Sequence, residues 1–181
     1  ITNALKSWAH TLESKNIEKW LSKYQNIGNK PRVIGLILAG NIPMVGFHDL
    51  ICVWVTGNKA LVKCASKDEV LLPYMTNFLE NKVGASSFYY VSKIKLEFDA
   101  IVATGSNNST RYFEYYFSSY PNLLRKNRNG IAILDGNETE DELFGLGNDI
   151  LNYFGLGCRN VAKVFLPKGY GLNKIFKGLY S

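Results

Sequence analysis

Short, nearly unbroken apolar runs alternate along this chain with longer segments of helical period, and that alternation restricts the fold more than any other feature. Residues 33–39 are apolar throughout apart from Gly35, the pattern of a strand covered on both faces. Strand-like runs recur at 59–64, 88–92, 99–103, 131–134 and 161–166. Helical patterns stand between them. Residues 4–21 predict an amphipathic helix or helix pair, ended by Gly28 and Pro31, and 44–55 a helix with Pro43 in its first turn. Residues 68–82 predict a helix closed by Gly84, and 107–120 one with a stripe of aromatics. Residues 138–154 open on Glu138, Glu140, Asp141 and Glu142, where a helix dipole favours acids. Residues 122–129 look like a basic, polar connection, and 168–181 like a short tail. Strands separated by helices build βαβ units. The expected class is α/β, a doubly wound and mostly parallel sheet.

Composition narrows the function classes. The 181 residues suffice for one domain, or one and a piece of another, and a boundary is expected after 154. Hydrophobic residues at 46% and charged residues at 20% exclude disorder and fibrous architectures. No apolar run approaches the roughly 18 residues of a membrane span. The first residues carry neither an initiator Met nor a signal pattern, so the chain is expected to be a piece of a longer product. Cys52, Cys64 and Cys158 are widely spaced, without C-x-x-C or a His cluster, so neither a disulfide framework nor a metal is expected, and a reducing cytoplasm is the expected setting. A net charge of +6 admits an anionic partner such as a nucleotide or coenzyme A.

In open parallel sheets ligands bind beyond the C-terminal strand ends. Three loops qualify, at 40–43, 63–68 and 104–109, and none holds G-x-G-x-x-G or a Walker motif. Their content and order are more specific. The run A-G-N-I-P-M at 39–44, G-N-K-A-L-V-K-C-A-S at 57–66, A-T-G-S at 103–106 and G-L-G-C at 155–158 together resemble the aldehyde dehydrogenase superfamily. With A-I-L-D-G-N-E at 132–138 and G-L-G-C-R-N at 155–160, the chain is most similar to the bacterial fatty acyl-CoA reductase branch, relatives of the reductase that feeds aldehyde to luciferase.

The resemblance implies a division of labour. Residues 1–154 become an N-terminal helix plus nucleotide-binding domain, and 155–181 the start of a catalytic domain. Cys158 becomes the nucleophile toward an acyl thioester, with Gly155 and Gly157 permitting close approach and Arg159 favouring the thiolate. Asn41 becomes the oxyanion donor, beside its local reading as a turn or N-cap residue. Lys63 contacts the adenosine ribose, against the plainer reading of a solvated strand-end lysine. NAD-preferring members place a Glu three residues after that Lys. Here Ser66 and then Lys67 stand instead, which suits a 2′-phosphate, so NADPH is expected over NADH. Thr104, Gly105 and Ser106 fall where the pyrophosphate meets a helix N-terminus, with a plain helix cap as the alternative for Ser106.

One departure carries weight. Hydrolytic members activate water with the Glu of E-L-G-G, and the corresponding stretch here, 123–126, is L-L-R-K. That favours a reductase consuming acyl-CoA. Two rivals stand beside it: a short-chain CoA-acylating aldehyde dehydrogenase using NAD, and a non-catalytic nucleotide-binding module. His48 is expected to be a packed or capping residue, and the aromatics from Tyr112 to Tyr120 to pack a helix on the sheet. Arg125, Lys126 and Arg128 are expected in a solvated loop, with coenzyme A phosphate binding as the sharper alternative. Nucleic acid is not an expected partner, and homo-oligomers are expected only of the full-length protein.

Overall fold

The computed structural model describes residues 2–24, 30–95 and 97–180, so the break expected at Gly28 lies outside the described residues. The chain forms two compact units that divide between Lys126 and Asn127. In the first, α1 (Thr2–Thr11) and α2 (Ser14–Leu21) precede β1 (Val33–Ile37), α3 (Phe47–Val55), β2 (Lys59–Lys63), α4 (Leu71–Val83), β3 (Phe88–Tyr90), β4 (Ala100–Thr104), α5 (Asn107–Phe117) and β5 (Asn122–Arg125). The strands form one sheet in the order β3-β2-β1-β4-β5, and every pairing is parallel.

The alternation of side chains along β1 explains why both faces are covered. Leu36 and Ile34 pack with Phe47, Leu50 and Ile51 of α3, Leu72 of α4, and Trp8 and Trp20 of the N-terminal helix pair. Val33 and Ile37 pack on the other face with Phe98, Phe113, Phe117 and Tyr120. The expected doubly wound α/β fold is thus present. Leu36, Phe47, Leu50, Ile51 and Val62 are fully shielded from water, each burial contributing roughly 1.5–3 kcal/mol, so the α3 face anchors this unit. Gly84, at φ 74°, closes α4 in the left-handed conformation that glycine adopts without strain.

The second unit holds β6 (Gly130–Ile133), α6 (Glu140–Leu151), β7 (Val161–Phe165) and α7 (Leu172–Tyr180), with β6 and β7 paired in parallel. Thr139 and Glu142 form a capping box at the start of α6, which satisfies two backbone donors reciprocally.

Two expectations are revised. Residues 122–125 form edge strand β5 rather than a loop, because Ile101 to Thr104 offer them a parallel ladder. The tail at 168–181 contains α7, whose buried Ile175 and close approach of Gly178 to Leu143 dock it on α6. The two compact units divide at 126/127, and β6 and its partner β7 lie on either side of residue 154. Among the described residues no helix is long and apolar enough to cross a membrane.

Candidate functional site

After β1 the chain leads to α3 on one face, and after the adjacent β4 to α5 on the other. The C-terminal ends of β1 and β4 therefore flank a switch point, where such sheets take ligands. Asn41 stands exposed in the loop after β1. The helix expected from Pro43 begins instead at Phe47, because Met44 is left-handed at φ 61° and interrupts the helical run. For a residue with a side chain that conformation costs roughly 1–2 kcal/mol. Two packings hold the turn: Met44 is buried at 3% exposure, and Gly46 sits so close to Leu38 that a Cβ would meet its Cδ1 at 2.7 Å.

The loop after β2 divides the expected cofactor residues between two clefts. Half-buried Lys63 lines one of about 310 Å³ with Cys64, Glu69, Tyr90 and Ser92. Exposed Ser66 and Lys67 line another, of about 340 Å³, with Gly40, Pro43 and Asp68. Gly40 is required there: a Cβ would stand 2.6 Å from the Ala65 Cβ, so the two loops interlock only without a side chain at 40. Burial, helped by the charges of Asp68 and Glu69, pushes the Cys64 thiol up to about 11. That thiol stays protonated at neutral pH and is no nucleophile.

Asp68 was not singled out from sequence. It is buried at 6% exposure, and burial raises its pKa against the hydrogen bond donated by the Met44 N–H. Its Oδ2 is, among the described residues, the one buried side-chain polar atom without a partner. Such an acceptor costs roughly 1–3 kcal/mol, which makes it conspicuous at the wall of a cleft.

After β4, Thr104 ends its strand and Gly105 faces Ser109 and Phe113 at distances that exclude a Cβ. Ser106 caps α5, accepting from the Ser109 N–H at 3.1 Å. Thr104 pairs in register with Arg125, whose Nη1 reaches both carboxylate oxygens of Asp49 at 2.7 and 2.6 Å. Arg125 is therefore half-buried in an ion pair rather than part of a solvated loop, and Lys126 pairs with Glu114 at 2.8 Å. Burial opposes ionisation of Asp49, but hydrogen bonds from His48 and Arg125 prevail and hold its pKa below the usual range. The sequence signal for this pair was Asp49 itself, the lone acid in a helix that is apolar apart from it and His48, since a charge on a core-facing helix is kept only with a partner.

Cys158 belongs to the second unit, whereas the other candidate residues belong to the first. It is exposed and unpaired, and it follows Tyr153, Phe154 and Gly155, all at positive φ. Asn160 secures this unusual turn. Its Oδ1 accepts from the Gly157 N–H at 2.8 Å, and its Nδ2 donates to the Asp149 and Asn152 carbonyls, each at 2.9 Å. Among the described residues no group of His, Cys, Asp and Glu could hold a metal.

No family model and no curated protein matches this sequence. Solved structures do resemble it. Aldehyde dehydrogenase KauB from Pseudomonas aeruginosa superposes with a TM-score of 0.72 at 16% identity, over 91% of this chain and 40% of that one. The NAD+ complex of an aldehyde dehydrogenase from Bacillus cereus gives 0.70 at 19% identity, over 81% and 33%. A mutant of aldehyde dehydrogenase C from Pseudomonas syringae, in complex with NAD+ and octanal, gives 0.70 at 13%, over 90% and 39%. Spanning two fifths or less of the length of these proteins, the chain shares the aldehyde dehydrogenase fold.

Proposed function

We propose that this chain is the nucleotide-binding domain, with the start of the catalytic domain, of a reductase that converts a long-chain fatty acyl-CoA to its aldehyde with NADPH. Arg125 carries the reading. Where hydrolytic relatives place a water-activating Glu, residues 123–126 contain no acid, and the cation there is tied to Asp49. A carboxylate kept ionised by its own ion pair has little proton affinity to offer a water. In a protein that lacks this base, an acyl thioester is spared hydrolysis and remains available for reduction. The three free thiols suit a reducing, cytoplasmic setting.

NADPH, when bound, supplies the hydride. The residues present fit a nucleotide: Asp68 offers an unsatisfied acceptor, and Ser66 and Lys67 line the same cleft. In this reading Lys67 meets the 2′-phosphate, Lys63 the ribose, and Thr104, Gly105 and Ser106 the pyrophosphate side. The Cys158 thiolate attacks the acyl carbonyl carbon, and the bond to coenzyme A breaks with its electron pair leaving on the coenzyme sulfur. Asn41 donates a hydrogen bond to the carbonyl oxygen while that atom carries charge. Cys158 would be the leaving group of the reduced carbon, its sulfur taking back the electrons of the broken carbon–sulfur bond as aldehyde departs.

Incubation with palmitoyl-CoA, followed by intact mass and peptide mapping, tests this. The expected result is an acyl adduct on Cys158 that NADPH discharges as aldehyde. Full NADPH-dependent reduction by the Cys158→Ala variant of the gene product carrying this chain would overturn the reading.

A further inference from the structure

The cleft at the ends of β1 and β2 is shared by two loops with different assignments. One carries Asn41 and the other carries Ser66 and Lys67. They touch at two points: Gly40 against Ala65, and the Met44 N–H on the Asp68 carboxylate. The first contact is steric and fixed. The second is a hydrogen bond made by one half of a carboxylate whose other oxygen, Oδ2, has no partner.

We propose that Asp68 is a positioning residue that couples occupancy of the nucleotide cleft to the posture of the loop bearing Asn41. The inference rests on the nucleotide site proposed above. A carboxylate is a rigid plane, so the two oxygens cannot move independently. When a ribose hydroxyl enters the cleft it brings a donor to Oδ2, and the plane turns to receive it. That turn alters the direction from which Oδ1 accepts the Met44 N–H. Met44 is poised to respond, because its left-handed backbone at φ 61° is held by its surroundings rather than by its own preference. It lies three residues from Asn41, and the Val45 and Phe47 N–H groups bond back to the Ile42 and Met44 carbonyls, so the turn moves as a unit. NADPH and NADH both carry a ribose 3′-hydroxyl, and Asp68 serves either one. Lys67 addresses the 2′-phosphate separately.

Amide hydrogen exchange on this chain, alone and with saturating NADPH, tests the coupling, with NADH as a second arm. Either nucleotide is expected to slow exchange at 63–71 and at the Met44 amide by about tenfold. In Asp68→Ala, which loses the ribose acceptor and so binds nucleotide more weakly, nucleotide raised until 63–71 is again protected leaves Met44 unprotected, and the core amides of β1 and α3 report that the variant is folded. Protection at 63–71 without any change at Met44 in the wild-type chain overturns the coupling alone, whether or not the variant folds. No protection anywhere with either nucleotide overturns the nucleotide site and the coupling with it.

Discussion

Asp49 of α3 and Arg125 of β5, 76 residues apart in sequence, meet through a single guanidinium nitrogen at 2.6 and 2.7 Å. The pair ties the first turn of α3 to the edge strand across the ends of β1 and β4, the place where the switch-point crevice opens. Its carboxylate is 9% exposed and its guanidinium 26%, so removing one partner strands the other in a site poor in water. Asp49→Ala is expected to lose about 3 kcal/mol of unfolding free energy. Asp49→Leu combined with Arg125→Met leaves no stranded charge and is expected to lose much less. Urea denaturation of the two variants measures the contrast, and equal losses would mean that shape rather than charge holds the helix.

His48 adds a pH dependence on the alkaline side. Its hydrogen bond to Asp49, then its contact with Cys52, raise its pKa from 6.5 to about 10 against a lesser effect of burial. The charged ring lies beside Trp8 and Trp20, with centroids at 6.1 and 6.4 Å. A raised folded pKa means that the folded state binds the proton more tightly. The stabilisation is complete below pH 6.5 and is lost as pH rises through about 10. With the side chain 58% exposed, solvent screening limits it to about 0.5 kcal/mol. His48→Gln is expected to be less stable than wild type at pH 6 and equal to it above pH 10, read as a converging difference in Tm.

The parallel α/β architecture was legible because its central strands β1 and β4 are covered on both faces and its helices end at plain signals such as Gly84. Strand β5 was not, since Asn122 to Arg125 contain no β-branched residue and pair only because β4 presents an open edge. Helix α7 was passed over for its length, although Leu172, Ile175, Phe176 and Leu179 stand at helical spacing. Asn41 and Ser106 lie in the loops that follow β1 and β4, and Lys63 ends β2, positions that the apolar runs before them indicate. Asp68 and Asn160 were missed for a common reason. Their importance lies in backbone groups they meet, Met44 for one and Gly157, Asp149 and Asn152 for the other, and a sequence does not display such meetings.

Asn160 holds the turn before Cys158 by bonds at 2.8, 2.9 and 2.9 Å. None of these partners is a side chain, so the asparagine acts as a brace on backbone that is left-handed at Tyr153, Phe154 and Gly155. Asn160→Ala is expected to cost the second unit about 2 kcal/mol. The released turn should also change the rate at which iodoacetamide alkylates Cys158. An unchanged rate in a folded variant would show that the brace does not govern presentation of the thiol.

Gly40 offers a test of the interlocked loops that needs no ligand. A Cβ at this position would lie 2.6 Å from the Cβ of Ala65, with Lys67 and Asp68 next at 3.7 and 3.8 Å. Non-bonded carbons do not approach to 2.6 Å, so Gly40→Ala must push the loop after β1 away from the loop after β2. Overpacking of this kind costs about 1–3 kcal/mol. The colliding atom is a methyl carbon on a short side chain that cannot turn aside, so relief has to come from removing it. Ala65→Gly in the Gly40→Ala background is therefore expected to recover most of the loss, while Ala65→Gly alone costs only a little. Thermal unfolding of the four proteins closes the cycle, and a coupling energy near zero would place the strain somewhere other than this contact.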